Sequence, residues 1–301
     1  GIPERIVREV AGGISLNTPE VWIGAYPWPR IEGHKYKRGH AVVVSGPAHA
    51  TGAARLAAKA ALRAGAGLVT VAAPKAALPT LSASLEAVKV REANGAAGLK
   101  RLLADERLNA VLLGPGNGAG KATKAAVEAA AKAKRALVLD AGAISTFTRE
   151  SGKLGKLLKV NRIQALLTPH DGEFAKLFAS DSAQVLACES KIEKVRAAAE
   201  LLGATVVLKG PDTVAASPDG RVTISNNAPP WLATAGSGDV LAGISLGLIA
   251  QGMPVFEAGC AAVWLHGEAA KEAGFAMTAE DLTPALKKVL ERLYDAFGPG
   301  R

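Results

Sequence analysis

Apolar and polar positions along the chain fall into a repeating block pattern. From residue 41 onward, runs of four or five apolar residues are each followed by a glycine break and a stretch with helical spacing. The first block has a strand at 41–45 (AVVVS), then a helix at 51–64 with Arg55, Lys59 and Arg63 four apart on one face. Gly65 and Gly67 close that helix, and a strand follows at 68–72. The unit recurs as strand 110–113, helix 121–133 and strand 136–139. Strand 165–168, helices 172–178 and 191–202, and strand 205–208 follow. Short, fully apolar strands alternating with helices predict a parallel sheet covered on both faces. Residues 212–216 and 222–225 flank Ser217-Pro218-Asp219-Gly220 and predict a β-hairpin. Beyond it the pattern is helical, at 238–250, 255–273 and 283–297. Residues 1–30, punctuated by Pro3, Pro19, Pro27 and Pro29 and carrying Trp22 and Trp28, break the rhythm. They are expected to form an arm or linker on one α/β domain spanning 31–301.

Composition sharpens this picture in three ways. Aromatic residues make up only 4% of the 301, so the core must be built from Ala, Val, Leu and Ile. Cys188 and Cys260, the two cysteines, have no CxxC spacing, which argues against a disulfide framework or a cysteine zinc site and for a reducing, cytoplasmic setting. The opening GIPERIVREVAGG lacks the apolar stretch of a signal peptide, and the apolar stretch 240–265 is broken by Gln251, Gly252, Pro254 and Glu257. It reads as two buried helices and excludes a membrane span. The net charge of +9 suggests an anionic partner. Because the basic residues lie along Ala-rich helices without interleaved aromatics, solvated helix faces explain them better than a nucleic-acid surface.

In an open parallel sheet, ligands bind where loops and helix N-termini converge beyond the carboxyl ends of strands. The most informative loop is Thr234-Ala235-Gly236-Ser237-Gly238-Asp239, which runs directly into an apolar helix. Its glycines allow several amides to converge on one anion, helped by the positive end of the helix dipole. Asp239 could cap the helix. It could also act as a base on a hydroxyl beside the anion, as phosphoryl transfer requires. The run Gly114-Pro115-Gly116-Asn117-Gly118-Ala119-Gly120-Lys121 is not a P-loop: five residues separate Gly114 from Gly120, and Ala122 stands where Ser or Thr is needed. It is either a flexible turn or backbone close to a ligand. In Thr168-Pro169-His170-Asp171-Gly172-Glu173, His170 and Glu173 could meet substrate or metal, or simply lie in a surface loop. Lys209, in Lys209-Gly210-Pro211-Asp212-Thr213, is placed for an anionic ligand or for capping. Asp140 ends a buried strand as a hydrogen-bond acceptor, or as a contact to substrate or metal. There is no GxSxG or HExxH, so hydrolase and zinc-enzyme chemistry is disfavoured.

Taken in order, these segments resemble the NAD(P)H-hydrate dehydratases of the ribokinase-like superfamily. The resemblance rests on His34-Lys35-Tyr36, Ser45-Gly46-Pro47, Thr51-Gly52-Ala53-Ala54 followed by GAGLVTVA, LLGPGNG, LTPHDGEF, VVLKGPDTV and NAPPWLATAGSGDVLAG, over residues 15–285. Ala-Pro-Pro-Trp and Trp-Leu-His-Gly-Glu are most similar to bacterial bifunctional members, in which an epimerase domain comes first. Gly1-Ile2-Pro3 reads as the junction at which such a domain would end. The resemblance implies a three-layer α/β sandwich with a mostly parallel sheet. It also implies a reaction in which ADP, or ATP, with Mg2+ phosphorylates the added hydroxyl of hydrated NADH or NADPH, after which phosphate leaves. By motif position, Asp239 would activate the hydroxyl, and Gly236, Ser237 and Gly238 would hold the phosphoryl group. Lys209, Gly210, Pro211, Asp212 and Thr213 would line the nucleotide site, and Ala53, Gly116 and His170 would contact the hydrated cofactor. No metal ligand is assigned to the protein itself. A homo-oligomer is implied, with exposed Trp22 and Trp28 as contributors and an epimerase acting in trans as a further partner.

Two positions depart from the family pattern. Gly142 replaces the second Asp of Asp-Ala-Asp-Ala, removing a carboxylate near the site, and Ala235 stands where many relatives have Gly. The same cradle and acid would serve a ribokinase-like kinase for a sugar or vitamin alcohol, marked by a stable phosphorylated product. A degenerate domain that only binds nucleotide is the third reading.

Overall fold

The computed structural model describes residues 12–29, 34–180 and 182–299. Among the described residues ten strands form one sheet: β1 (Ile14–Leu16), β2 (His40–Val44), β3 (Leu68–Ala73), β4 (Lys89–Glu92), β5 (Ala110–Leu113), β6 (Ala136–Leu139), β7 (Ala165–Leu167), β8 (Thr205–Leu208), β9 (Thr213–Ala216) and β10 (Val222–Ser225). Their spatial order is β1-β10-β9-β8-β7-β6-β5-β2-β3-β4. All neighbours are parallel except β9, which runs antiparallel to both β8 and β10. The chain winds outward in both directions from the β2–β5 pair, which makes that pair the topological switch point.

Side chains alternate across the sheet and so divide the interior into two cores. Ala41 and Val43 face one core while Val42 faces the other, and Val207 and Val206 divide in the same way. The first core holds helices Gly52–Arg63, Ser237–Ala250, Val255–Ala273 and Ala279–Phe297; the second holds Gly95–Leu102, Lys121–Lys132, Ser151–Asn161 and Lys191–Leu202. This is the three-layer arrangement that the alternating pattern implied. From Val240 onward, helix Ser237–Ala250 is buried on every side. It lies so close to helix Gly52–Arg63 that a Cβ on Gly243 would stand 2.3 Å from the Ala57 carbonyl oxygen. Each of its buried Leu and Ile side chains contributes about 1.5–3 kcal/mol. No helix among the described residues is long and apolar enough to cross a membrane.

Most predicted elements stand within a residue or two of their expected ends. The last helix begins a turn early, at Ala279, because Thr278 and Asp281 form a capping box; Pro284 consequently lies inside the helix, where it has no N–H to give to the Glu280 carbonyl. Strand β4 carries no apolar signature, being an exposed edge. Among residues 12–29, β1 pairs in parallel with β10, and Trp22 is 1% exposed with its ring 5.7 Å from that of Trp264. The expectation of an exposed Trp22 is therefore corrected: its indole fills a gap in an alanine-rich core. Trp28 is half-buried. Residues 1–11 and 30–33, which include Pro3 and the Gly1-Ile2-Pro3 junction, lie outside the described residues.

Candidate active site

Three adjacent parallel strands, β6, β7 and β8, end in Asp140, Thr168 and Lys209 respectively. Asp140 is 2% exposed, and its Oδ1 accepts hydrogen bonds from Thr168 Oγ1 and Lys209 Nζ, each at 2.9 Å. A buried carboxylate is tolerated only with such partners. Facing this trio is the N-terminus of helix Ser237–Ala250. Gly236 is its N-cap, at φ +86°, and no side chain caps the first turn. That leaves the opening amides free to converge on an anion. A side chain at Gly236 would be strained by its left-handed backbone and would meet Leu56 Cδ1 and Ala279 Cβ within 3 Å.

Asp239 sits in the first turn of this helix but is not its cap, so the capping alternative is corrected. Its carboxyl is pushed up to about 6, first by burial and then by the negative charge of Asp140, with Lys209 pulling the other way. The side chain thus takes up a proton near pH 6 and is an acceptor above it. Lys209 Nζ lies 3.4 Å from where a Cβ on Gly238 would stand, so ammonium, helix amides and carboxylate share one small space. Such a grouping can hold a phosphoryl group and accept the proton of an attacking hydroxyl.

The remaining sequence-derived candidates lie on strand-end loops and at one helix start. Ala53, in the first turn of helix Gly52–Arg63, approaches Gly116: a Cβ on Gly116 would lie 3.7 Å from that of Ala53. His170 bridges to Lys209 across the ends of β7 and β8. Its Nδ1 accepts from the Gly172 amide at 3.0 Å, while Glu173 accepts from the His170 amide at 3.1 Å. A capping box thus occupies both side chains, while the His170 ring remains exposed. Gly210 to Thr213 form a turn leading from Lys209 into β9, closed by Thr213 Oγ1 donating to the Gly210 carbonyl at 2.9 Å. Lys191 holds Asp212 at 2.8 Å from outside. Among the described residues, no group of three or more His, Cys, Asp or Glu stands together as a metal cage. At the switch point, a cleft of about 480 Å³ opens between Ser45, Gly46, Pro74, Asn117 and Lys121.

Two residues beside these groups carry little signal in the sequence. Thr168 reads there as the first residue of a loop. His266 lies within an apolar helical run; it is 7% exposed and its Nε2 has no partner. Its ring interacts with the Ser237 backbone at the head of helix Ser237–Ala250, and burial pushes it down to about 4, so it is neutral. A lone histidine inside an otherwise apolar helix was the available signal.

The fold is that of the ribokinase-like α/β proteins, and it brings buried Asp140 and half-buried Asp239 to the N-terminus of helix Ser237–Ala250. Within that class, the NAD(P)H-hydrate dehydratase family model matches residues 41–292, and the chain belongs to this family of lyases. It is 37% identical to the ADP-dependent (S)-NAD(P)H-hydrate dehydratase of Neisseria meningitidis, covering 87% of this chain and 88% of that one. It is 35% identical to the bifunctional NAD(P)H-hydrate repair enzyme of Moorella thermoacetica over 97% of this chain, but spans only 57% of that longer relative. The Bacillus subtilis ADP/ATP-dependent NAD(P)H-hydrate dehydratase, co-crystallized with ATP and Mg2+, superposes with a TM-score of 0.77. There the identity is 27%, with 92% of this chain and 98% of that one covered.

Proposed function

We propose that the chain restores NADH and NADPH from their S hydrates, using ADP and releasing AMP and phosphate. The observation that carries this reading is the placement of Asp239: a half-buried acid in the first turn of an uncapped helix, with Lys209 alongside. ADP enters as its magnesium complex, with the metal carried on the nucleotide phosphates. Gly236, Ser237 and Gly238 hold the transferring phosphoryl group through their amides, and Lys209 with the turn Gly210–Pro211–Asp212–Thr213 lines the nucleotide. The hydrate is held between Ala53, Gly116 and His170, and the cleft at the switch point gives room for the rest of a dinucleotide.

In the first step Asp239 takes the hydroxyl proton as the oxygen attacks phosphorus, and the bond from phosphorus to the AMP oxygen breaks. In the second, the carbon–oxygen bond breaks, the neighbouring carbon gives up a proton and phosphate departs. Phosphate is a far better leaving group than hydroxide, which is why a phosphoryl-transfer fold suits a dehydration. We infer that the chain works as a homo-oligomer, with an epimerase supplying the S form of the hydrate.

The test is direct. The purified chain, given hydrate and MgADP, should regenerate absorbance at the reduced-nicotinamide band, about 340 nm, with equal amounts of AMP and phosphate. Accumulation of a stable phosphorylated compound without that absorbance would refute the reading.

A further inference from the structure

The proposed reaction places a base and an ammonium group side by side, an arrangement that would ordinarily neutralise the base. Lys209 Nζ stands next to Gly238, one residue from Asp239, yet its salt bridge at 2.9 Å goes to Asp140. No salt bridge joins Lys209 to Asp239 among the described residues. Asp140 is itself fixed: its backbone N–H donates to the Leu113 carbonyl, and the Oδ1 that receives Lys209 also receives Thr168.

We propose that Asp140 is a positioning residue for the reaction, holding the Lys209 ammonium on its own carboxylate so that Asp239 remains a usable base. The proposal rests on the dehydratase reading only for the identity of the alcohol that Asp239 deprotonates. The charged groups facing Asp239 are Asp140 and Lys209, and His266, from helix Val255–Ala273, faces Lys209 as a neutral ring. Neutralising Asp140 would act twice in the same direction. It would remove a negative charge that favours the protonated form of Asp239, and it would release a positive charge that favours the ionised form. The two carboxylates and the lysine therefore behave as one unit, in which Asp140 sets where the positive charge rests.

The deciding experiment compares wild type with Asp140→Asn, which keeps the shape, and Thr168→Val, which removes one of the two donors but leaves every charge. The Asp239 carboxyl is titrated by carbon-13 NMR in the ligand-free protein, and the pH dependence of hydrate turnover with MgADP is measured alongside. The wild-type midpoint is expected near 6. In Asp140→Asn it should fall by about one unit or more, with plateau turnover slowed about tenfold. In Thr168→Val the Asp140 carboxylate loses the hydroxyl that fixes it, its hold on Lys209 slackens, and the midpoint should fall by about half a unit. An unshifted midpoint in folded Asp140→Asn overturns the assignment. If that variant does not fold, Thr168→Val decides alone by the same criterion. The NMR titration needs no turnover, so a wild type inactive on hydrate would count against the activity while leaving Asp140 to be judged on its own result.

Discussion

The carbonyl oxygen of Asn117 lies 1.9 Å from where a Cβ on Gly142 would stand. The space beside Gly142, where the sequence departs from the expected Asp-Ala-Asp-Ala pattern, is thus filled by backbone from the neighbouring loop. The loop after β5 seats directly on the chain after β6 at this position. Adding a side chain should act as overpacking against backbone, which yields less readily than a side chain would. Gly142→Ala is expected to cost about 1–3 kcal/mol in chemical denaturation, and Gly142→Asp, although it restores the family residue, should cost at least as much. A fully stable Gly142→Asp would show that the loop can move aside.

Asp239→Asn should lower turnover by at least about 100-fold while leaving ADP binding by calorimetry nearly unchanged, because the amides that hold phosphate are untouched. In wild type, activity should rise with pH through about 6 as the carboxyl ionises. The same acid has a linked effect on stability. Its folded value lies above its ordinary one, so its favourable contribution is present at low pH and is lost as pH rises from about 4 through about 6. Asp239→Asn should therefore melt higher than wild type at pH 8, by about 3 °C, with the gain gone at pH 4. A variant that is less stable at pH 8 would show that Asp239 is paired after all.

Gly236→Ala confronts a left-handed backbone together with Leu56 and Ala279. It should cost about 1–3 kcal/mol and swing the opening amides off target. Turnover should fall more steeply than the melting temperature alone would suggest. Measuring kcat at several temperatures below the transition separates the two effects, and unchanged kcat would refute the role given to this turn.

His266 titrates in the opposite sense to Asp239. Its folded value, about 4, lies below the ordinary histidine value, so the stability it confers is present above about 6.5 and is lost as pH falls towards 4. Unfolding curves between these limits should show that loss, and His266→Gln should flatten it. Should the slope be unaltered in the variant, the ring must already be protonated in the native protein.

Much of the fold was legible because apolar runs and glycine breaks act locally. A four-residue run such as Ala110–Leu113 can be satisfied only by burial on both faces, wherever it lies in the sheet. Elements without that signature, such as the exposed edge β4 and the short β1, depend on a neighbour to exist and left little mark. The glycine turn that opens helix Ser237–Ala250 was equally plain, since Gly236 and Gly238 stand directly before an apolar run. Asp140 remained ambiguous, because a lone acid after a strand reads alike whether or not it holds a lysine.

What the sequence by itself determined is the alternation of strand and helix, the glycine-rich helix start and the presence of Asp239 in its first turn, all consequences of short-range backbone and burial preferences. Only the tertiary structure decided that Asp140, Thr168 and Lys209, from three different strands, meet at one carboxylate oxygen, and that His266 closes in behind them. Those contacts join residues tens of positions apart, and side-by-side pairing of β6, β7 and β8 brings them together. Charge coupling depends on that distance in space, which no local pattern encodes.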